Sequence, residues 1–567
     1  MLKRFYTILL CAGVLTTVVF ASDSPGNSKR ISKSKAPVEI KVVPVGLTQT
    51  DVDGIKRQIE QTLLKKELTD SNYRLISFEQ ITKNEKAVAE IKTPKHFRIV
   101  FYDYTNDRTI VAEGAIAAPE AVRVTEDTGK PNPSREELDA AYNLIAENSD
   151  LGAAFKAKKL STFLAMPPIT VTDAGERLIN VGIESLDNSV ENEVISISFK
   201  RKQIVRYSDF APPASNAGPA SCGIPNAGQG SSGQGIAGQY QISIVQNGVA
   251  LWEMLVTRPS ASSSSDGSGI ELQNVKYLGK SVFKQAHVPV LNVKYANDAC
   301  GPFLDWQYDE DSFQAPEAGA QNPAPGIRIL ASGQVATTSL ESGTDTGNFR
   351  GVAIYTQNVG AVQETVLVTE MQAGWYRYIM EWRFANDGTI RPRFGFGATR
   401  NSCVCFVHYH HVYWRFDFDV VNPNNKLYQI ERGRKFQRQV TNEKADFRNY
   451  QTNKSFLIQN GSGSEAYLLV PNPTDGRWNQ DNLTFGAGDF WFLKNPAANS
   501  ELGTTSDTMI NMAPYLNNES IDNQDLVVWY GAHFTHSDGE NLSEANSSNL
   551  VLSGSHVVGP DIRPVRW

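Results

Sequence analysis

Three histidines on two strand-like stretches are the residues of this chain best suited to chemistry. In Val407-His408-Tyr409-His410-His411-Val412-Tyr413-Trp414-Arg415-Phe416-Asp417-Phe418-Asp419-Val420, aromatic and β-branched residues alternate, which predicts a strand. Residues i and i+2 of a strand project from the same face, so His408 and His410 point one way and His411 the other. Two imidazoles so placed can bind one transition metal. An isolated His-x-His more often packs in a core, but five of the chain's eight histidines lie in this stretch or in 529–536. That second stretch, Asp525-Leu526-Val527-Val528-Trp529-Tyr530-Gly531-Ala532-His533-Phe534-Thr535-His536, reads as another hydrophobic strand and ends in histidine. A third imidazole from a distant strand gives an all-nitrogen site with open positions. Imidazole suits copper, zinc, iron and nickel, so ligand type by itself leaves the metal open.

His-x-His followed by Arg415-x-Asp417-x-Asp419-Val420, with a late Asp525-Leu526-Val527-Val528-Trp529 run ending in histidine, resembles the copper- and topaquinone-dependent amine oxidases. The resemblance implies Cu(II) bound by His408, His410 and His536. The distance from Trp529 matches the family pattern at His536 rather than His533. It also implies a peripheral calcium-type site on Asp417, the Phe418 carbonyl, Asp419, Asp525 and the Leu526 carbonyl, hard oxygen ligands of the kind such a cation prefers.

The stretch Ala373-Gly374-Trp375-Tyr376-Arg377-Tyr378-Ile379, with Glu381-Trp382-Arg383-Phe384 and Asp387-Gly388-Thr389-Ile390 behind it, is similar to the family's cofactor segment. There copper and oxygen convert a tyrosine to topaquinone, and Tyr376 occupies that position. The usual setting is Asn-Tyr-Asp/Glu-Tyr. Here Trp375 stands for the asparagine and Arg377 for the acid, flanks that position the quinone. In Val293-Lys294-Tyr295-Ala296-Asn297-Asp298-Ala299-Cys300-Gly301-Pro302, Asp298 matches the catalytic aspartate if Cys300 is an insertion, and Tyr295 stands near the gating tyrosine; Asp305 is the next carboxylate downstream. A base that removes an α-proton benefits from partial burial and a raised pKa. The resemblance therefore implies oxidative deamination of a primary amine by O2, giving aldehyde, ammonia and hydrogen peroxide, in a homodimer. Two alternatives stay open: a copper-binding relative that makes no quinone, and a copper centre using another tyrosine or a cysteine.

The elements that must carry these residues follow from pattern. Residues 239–567 are nearly all alternating strands between Gly, Asn and Ser turns, and predict a large sandwich or barrel-like assembly; the resemblance implies that it is a β-sandwich and the copper-binding catalytic domain. Ahead of it, 38–130 and 131–210 each read as a small α+β domain. In the first, a strand at 38–45 precedes a helix over 51–68 with Ile55, Ile59, Leu63 and Leu64 on one face, then strands at 96–104 and 109–117. In the second, Ser134 and Glu137 form a capping box, and Leu138, Ala141, Tyr142 and Ile145 face inward. Strands follow at 169–172, 178–184 and 194–207. The two domains resemble the N-terminal domains of the same family. Residues 211–238, rich in Gly, Ser and Ala, read as a linker.

Residues 1–21 have the basic start, short apolar run and small-residue cleavage site of a secretory signal, and 22–37 read as a disordered leader. The expected location is secreted or periplasmic, with no membrane span. A net charge of −7 with no long basic run argues against a nucleic-acid partner. Beyond the signal, Cys222, Cys300, Cys403 and Cys405 allow three disulfide pairings in an oxidising compartment. As strand residues i and i+2, Cys403 and Cys405 would share a face and pair elsewhere rather than with each other.

Overall fold

Strand-period alternation over the C-terminal two-thirds builds two large sheets. The computed structural model describes residues 36–567 except 82–94, 128, 186–192, 207–222, 225–237, 265, 296–302, 400, 434, 474, 479–484, 497–500, 502–510 and 537–556. The first sheet is antiparallel and runs Val38–Pro44, Gln239–Gln246, Val249–Thr257, Glu271–Tyr277, Lys280–Tyr295, His408–Phe418, Leu526–His536, Phe490–Lys494, Lys444–Asp446. The second runs from Gln321–Ala324 through Val362–Ala373, Tyr376–Ala385 and Ile390–Ala398 to the C-terminal Asp561–Arg566, then on to Phe436–Val440.

Apolar faces of both sheets meet in one core. Indole N–H groups tie the layers at fixed points: Trp252 Nε1 donates to the Ala385 carbonyl and Trp382 Nε1 to that of Ile270, each at 2.9 Å. These bonds satisfy donors that burial would otherwise strand. The strand carrying His408 thus sits in one layer and that carrying Tyr376 in the other.

Two four-stranded sheets precede the sandwich. The helix Gln49–Lys66 packs Ile55, Ile59 and Leu63 against Phe97, Ile99 and Phe101. The helix Arg135–Glu147 has the expected capping box, with the Glu137 N–H donating to Ser134 Oγ at 3.2 Å and the Ser134 N–H to Glu137 Oε2 at 2.9 Å. Leu138, Ala141 and Ile145 are buried, while Tyr142 is half-buried. Glu137 does more than cap: it forms a two-pronged buried ion pair with Arg177 at 2.8 and 3.0 Å.

The structure differs from the sequence reading in four places. Strand Val38–Pro44 pairs with Gln239–Gln246 at the edge of the large sheet rather than with the small sheet beside it. Tyr73–Ile81 and Ala118–Asp127 complete the first small sheet, and their many polar and charged side chains hid them. The stretch 194–207 is two strands, Glu193–Ser198 and Gln203–Val205, parted by a turn with Lys202 at φ 54°. Residues 402–405 form a turn of 3-10 helix rather than a strand, so the same-face rule does not relate Cys403 to Cys405.

Candidate metal centre and the tyrosines around it

His408 opens the strand His408–Phe418 and is buried. Its Nδ1 lies 2.6 Å from the Phe406 carbonyl, an acceptor only, so Nδ1 carries the proton and the Nε2 lone pair faces the core. Burial lowers its pKa to about 4, which keeps the ring neutral and able to bind a metal. His410 lies on the same face with its ring centroid 5.0 Å from that of His408. Phe396, from the opposite layer, packs on His410 at 4.6 Å.

The neighbouring strand Leu526–His536 runs antiparallel, and its register sets His536 directly opposite His408. His533 instead falls opposite His411 on the other side of the sheet. There the two Nδ1 atoms are 2.9 Å apart and His533 Nε2 lies 3.2 Å from Asp489. The register thus sets position 536 opposite His408 and pairs His411 with His533, while the His536 side chain lies outside what the structure describes.

Tyr376 begins its strand in the second layer and is fully buried. Its hydroxyl meets Nε2 of His408, the nitrogen that the Phe406 carbonyl leaves for a metal. Its ring also lies 4.6 Å from the His410 ring. Tyr295 is the register partner of His408 on its other side and stacks on the imidazole at 4.8 Å and 24°. Trp375 Nε1 donates to the Tyr295 hydroxyl at 3.0 Å. Three phenols and two imidazoles therefore crowd one buried space, since Tyr378 stacks on Tyr376 at 5.4 Å and 4°. Burial pushes all three phenol pKa values up, so each stays protonated.

Asp298 lies outside the described residues. Asp305 is where the structure brings a carboxylate to this cluster. It is 1% exposed, and its backbone N–H is fixed to the Leu291 carbonyl at 2.9 Å. Tyr378 donates its hydroxyl proton to Oδ2, while Oδ1 has no hydrogen-bond partner among the described residues. Burial pushes its pKa up to about 7, with the Tyr378 hydrogen bond pulling the other way. A carboxyl poised there exchanges protons near neutrality. The sequence signal for Asp305 was present, an acid between Leu304 and Trp306, but its proximity to Tyr378 was not.

Arg377 faces away from this cluster. Its guanidinium grips Asp345 at 2.6 and 3.0 Å, reaches Asp311 at 2.6 Å and donates to the Tyr376 carbonyl at 3.0 Å. The basic residue at the family's acidic position thus has buried carboxylates of its own, 32 and 66 residues away in sequence. Glu370 joins them, pushed up to about 8 by burial and by Asp311.

The far end of the histidine strand holds the acidic group. Carboxylate oxygens of Asp417, Asp419 and Asp525 lie within 4.8 Å of one another. Phe418 pairs with Leu526 in register, and Asn495 Nδ2 bridges Asp417 and Asp525 at 3.1 and 3.2 Å. Burial raises all three carboxyls, and repulsion from neighbouring aspartates adds to it at Asp417 and at Asp419, which is raised to about 7. Oxygen donors this crowded suit a hard cation, which would relieve the repulsion.

Cys403 is disulfide-bonded, so its sulfur is not a thiolate for copper(I); Cys222 and Cys300 lie outside the described residues.

No protein-family profile matches the sequence, and no characterised protein matches it by sequence. Solved structures do match. A copper-containing benzylamine oxidase from Hansenula polymorpha superposes with a TM-score of 0.58 at 12% identity, covering 89% of this chain and 96% of that one. The lysyl oxidase of Pichia pastoris gives 0.56 at 11% identity, with 91% and 89% covered. An Aspergillus nidulans amine oxidase gives 0.51 at 12%, with 92% and 88% covered. The fold is that of the copper amine oxidase β-sandwich with its small α+β domains, over nearly the whole chain.

Proposed function

We propose that this is an exported amine oxidase of the copper type that converts a primary amine, O2 and water to aldehyde, ammonia and hydrogen peroxide, working as a homodimer. The observation that carries this reading is the Tyr376 hydroxyl meeting Nε2 of His408 between the two layers. His408, His410 and His536 would hold Cu(II); the neutral His408 imidazole, with His410 on the same strand face, fits that role. Copper, with a quinone made from Tyr376, supplies the electrophile for the amine and the route for electrons to O2.

The chain's own residues do the rest. Asp305 Oδ1 takes the α-proton while Tyr378 holds Oδ2 in place. Asp298, the match by resemblance, is the competing base. Tyr295, stacked on His408 and held by Trp375, walls the site from water. Asp417, Asp419 and Asp525, with the Phe418 and Leu526 carbonyls, form a calcium-type site that braces the far end of the histidine strand.

The test is the visible spectrum of copper-reconstituted, aerobically incubated protein before and after phenylhydrazine. A quinone band that shifts to an adduct, absent in Tyr376→Phe, is the expected result. Bound copper without a band removes the quinone. It leaves the second reading, a copper-binding relative in which Tyr376 stays a phenol. That reading is favoured by Trp375 and Arg377, each fully engaged with other partners where the family carries Asn and Asp/Glu.

A further inference from the structure

A cavity of about 350 Å³ opens where the Ser455–Asn460/Ala466–Val470 hairpin and the C-terminal strand meet the segment around Arg448. It shares no residue with the metal centre or the acidic group. The chain carries a net charge of −7, yet four cationic side chains line this cavity, Arg393, Arg448, Lys454 and Arg563, against one carboxylate, Asp561. That carboxylate is already engaged on both oxygens, by Arg393 at 2.6 Å and Arg563 at 2.6 Å. Lys454 shares Asp446 with Lys444, at 2.9 and 2.7 Å, so two ammonium groups divide one negative charge. Arg448 is 4% exposed and held by the carbonyls of Asp475, Gly476 and Gly531 and by Asp489. Its Nε–H nevertheless has no hydrogen-bond partner among the described residues.

We propose that this cavity binds a small sugar-like ligand carrying a phosphate or sulfate ester. Guanidinium forks match the oxygens of a tetrahedral anion, and an arginine already fixed by its neighbours loses little freedom on binding. The positive surplus selects the anion. The rest of the lining suits a hydroxylated ring: Asn449 and Asn472 offer amides, and Tyr450, its hydroxyl tied to the Asn472 carbonyl at 2.9 Å, and Pro471 complete the wall. The volume falls in the range of roughly 300–1,000 Å³ usual for small-molecule sites. The inference is independent of the oxidase reading.

Calorimetric titration of the full chain with glucose 6-phosphate, glucose 6-sulfate, glucose and inorganic phosphate tests it. Saturable binding of one or both esters, about tenfold or more tighter than inorganic phosphate, is expected, with none for glucose. Which ester binds distinguishes the two sources of the anion. Lys454→Ala with Arg563→Gln should weaken that binding about tenfold or more at an unchanged melting temperature, because hydrogen bonds to charged groups are lost. Should the double variant melt early, Arg563→Gln by itself, on a side chain 53% exposed, serves as the test at an unchanged fold. Absence of saturable ester binding overturns the proposal, as do equal affinity for the bare anion and binding that the variants leave intact.

Discussion

Asp305 and Asp298 make different predictions. If Asp305 is the base, Asp305→Asn lowers kcat by about 10²–10⁴-fold while Asp298→Asn leaves it within a few-fold; steady-state kinetics on both variants decides the assignment. The acid limb of the rate profile should rise with pH through about 7, because only ionised Asp305 accepts a proton. Stability runs the opposite way. The folded pKa lies above the unfolded 3.8, so this group's contribution is most favourable below that value and declines as pH rises through about 7. Asp305→Asn should flatten both limbs. At this scale the sequence was most informative about the histidines, because strand period two assigns His408 and His410 to one face with no knowledge of the fold. It was least informative about the base. Asp298 and Asp305 stand seven positions apart; Asp305 meets Tyr378 from the other layer, whereas Asp298 lies outside the described residues.

The element that matters most is the strand Tyr376–Ala385, whose two faces do different work. One carries Tyr376 and Tyr378 to the histidines, while Arg377 on the other anchors the strand to Asp311 and Asp345. Breaking a buried pair by removing one partner typically costs about 3–5 kcal/mol. Arg377→Leu should therefore lower unfolding stability by about that amount, measured by urea denaturation of the metal-free protein. On the next strand of the same sheet, Phe396→Ala removes a ring packed on both His410 and Phe534, at 4.6 and 5.6 Å. A loss of about 3–5 kcal/mol is expected for such a truncation, together with weaker copper binding in a competition titration. Trp375 and Arg377 look in sequence like the loss of two functional flanks. Their replacement partners, Tyr295 and the Asp311–Asp345 pair, lie 80, 66 and 32 residues away, and no local pattern encodes contacts of that range.

At the scale of the whole molecule, the proposed calcium-type site would link the large sheet to cation supply. Burying Asp417, Asp419 and Asp525 together raises their pKa values, so without a cation stability should fall as pH rises from the unfolded carboxylate range through about 7. Calcium at about 100 times its dissociation constant should restore about 2.7 kcal/mol, read as a higher melting temperature at pH 8. Asp417→Asn should abolish the calcium response. No helix among the described residues is long and apolar enough to cross a membrane.

What the sequence determined by itself was local and periodic. It held the strand-rich C-terminal region, the two one-sided helices and the Ser134 cap of the second, the common face of His408 and His410, and the acids at the far end of their strand. Each rests on side-chain types repeating at 2 or 3.6 residues or on a cap spanning three. The tertiary structure decided what depends on register and on which layers face each other. It set His536 opposite His408, paired His533 with His411, brought Tyr376 onto Nε2, gave Arg377 its carboxylates and carried Val38–Pro44 to the edge of the large sheet. Those contacts join residues from 32 to more than 200 positions apart. Their energy comes from strand pairing, shared burial and paired charge, which exist only once distant segments have come together in the sheets and, for Tyr376 and His408, once the two sheets have closed on each other.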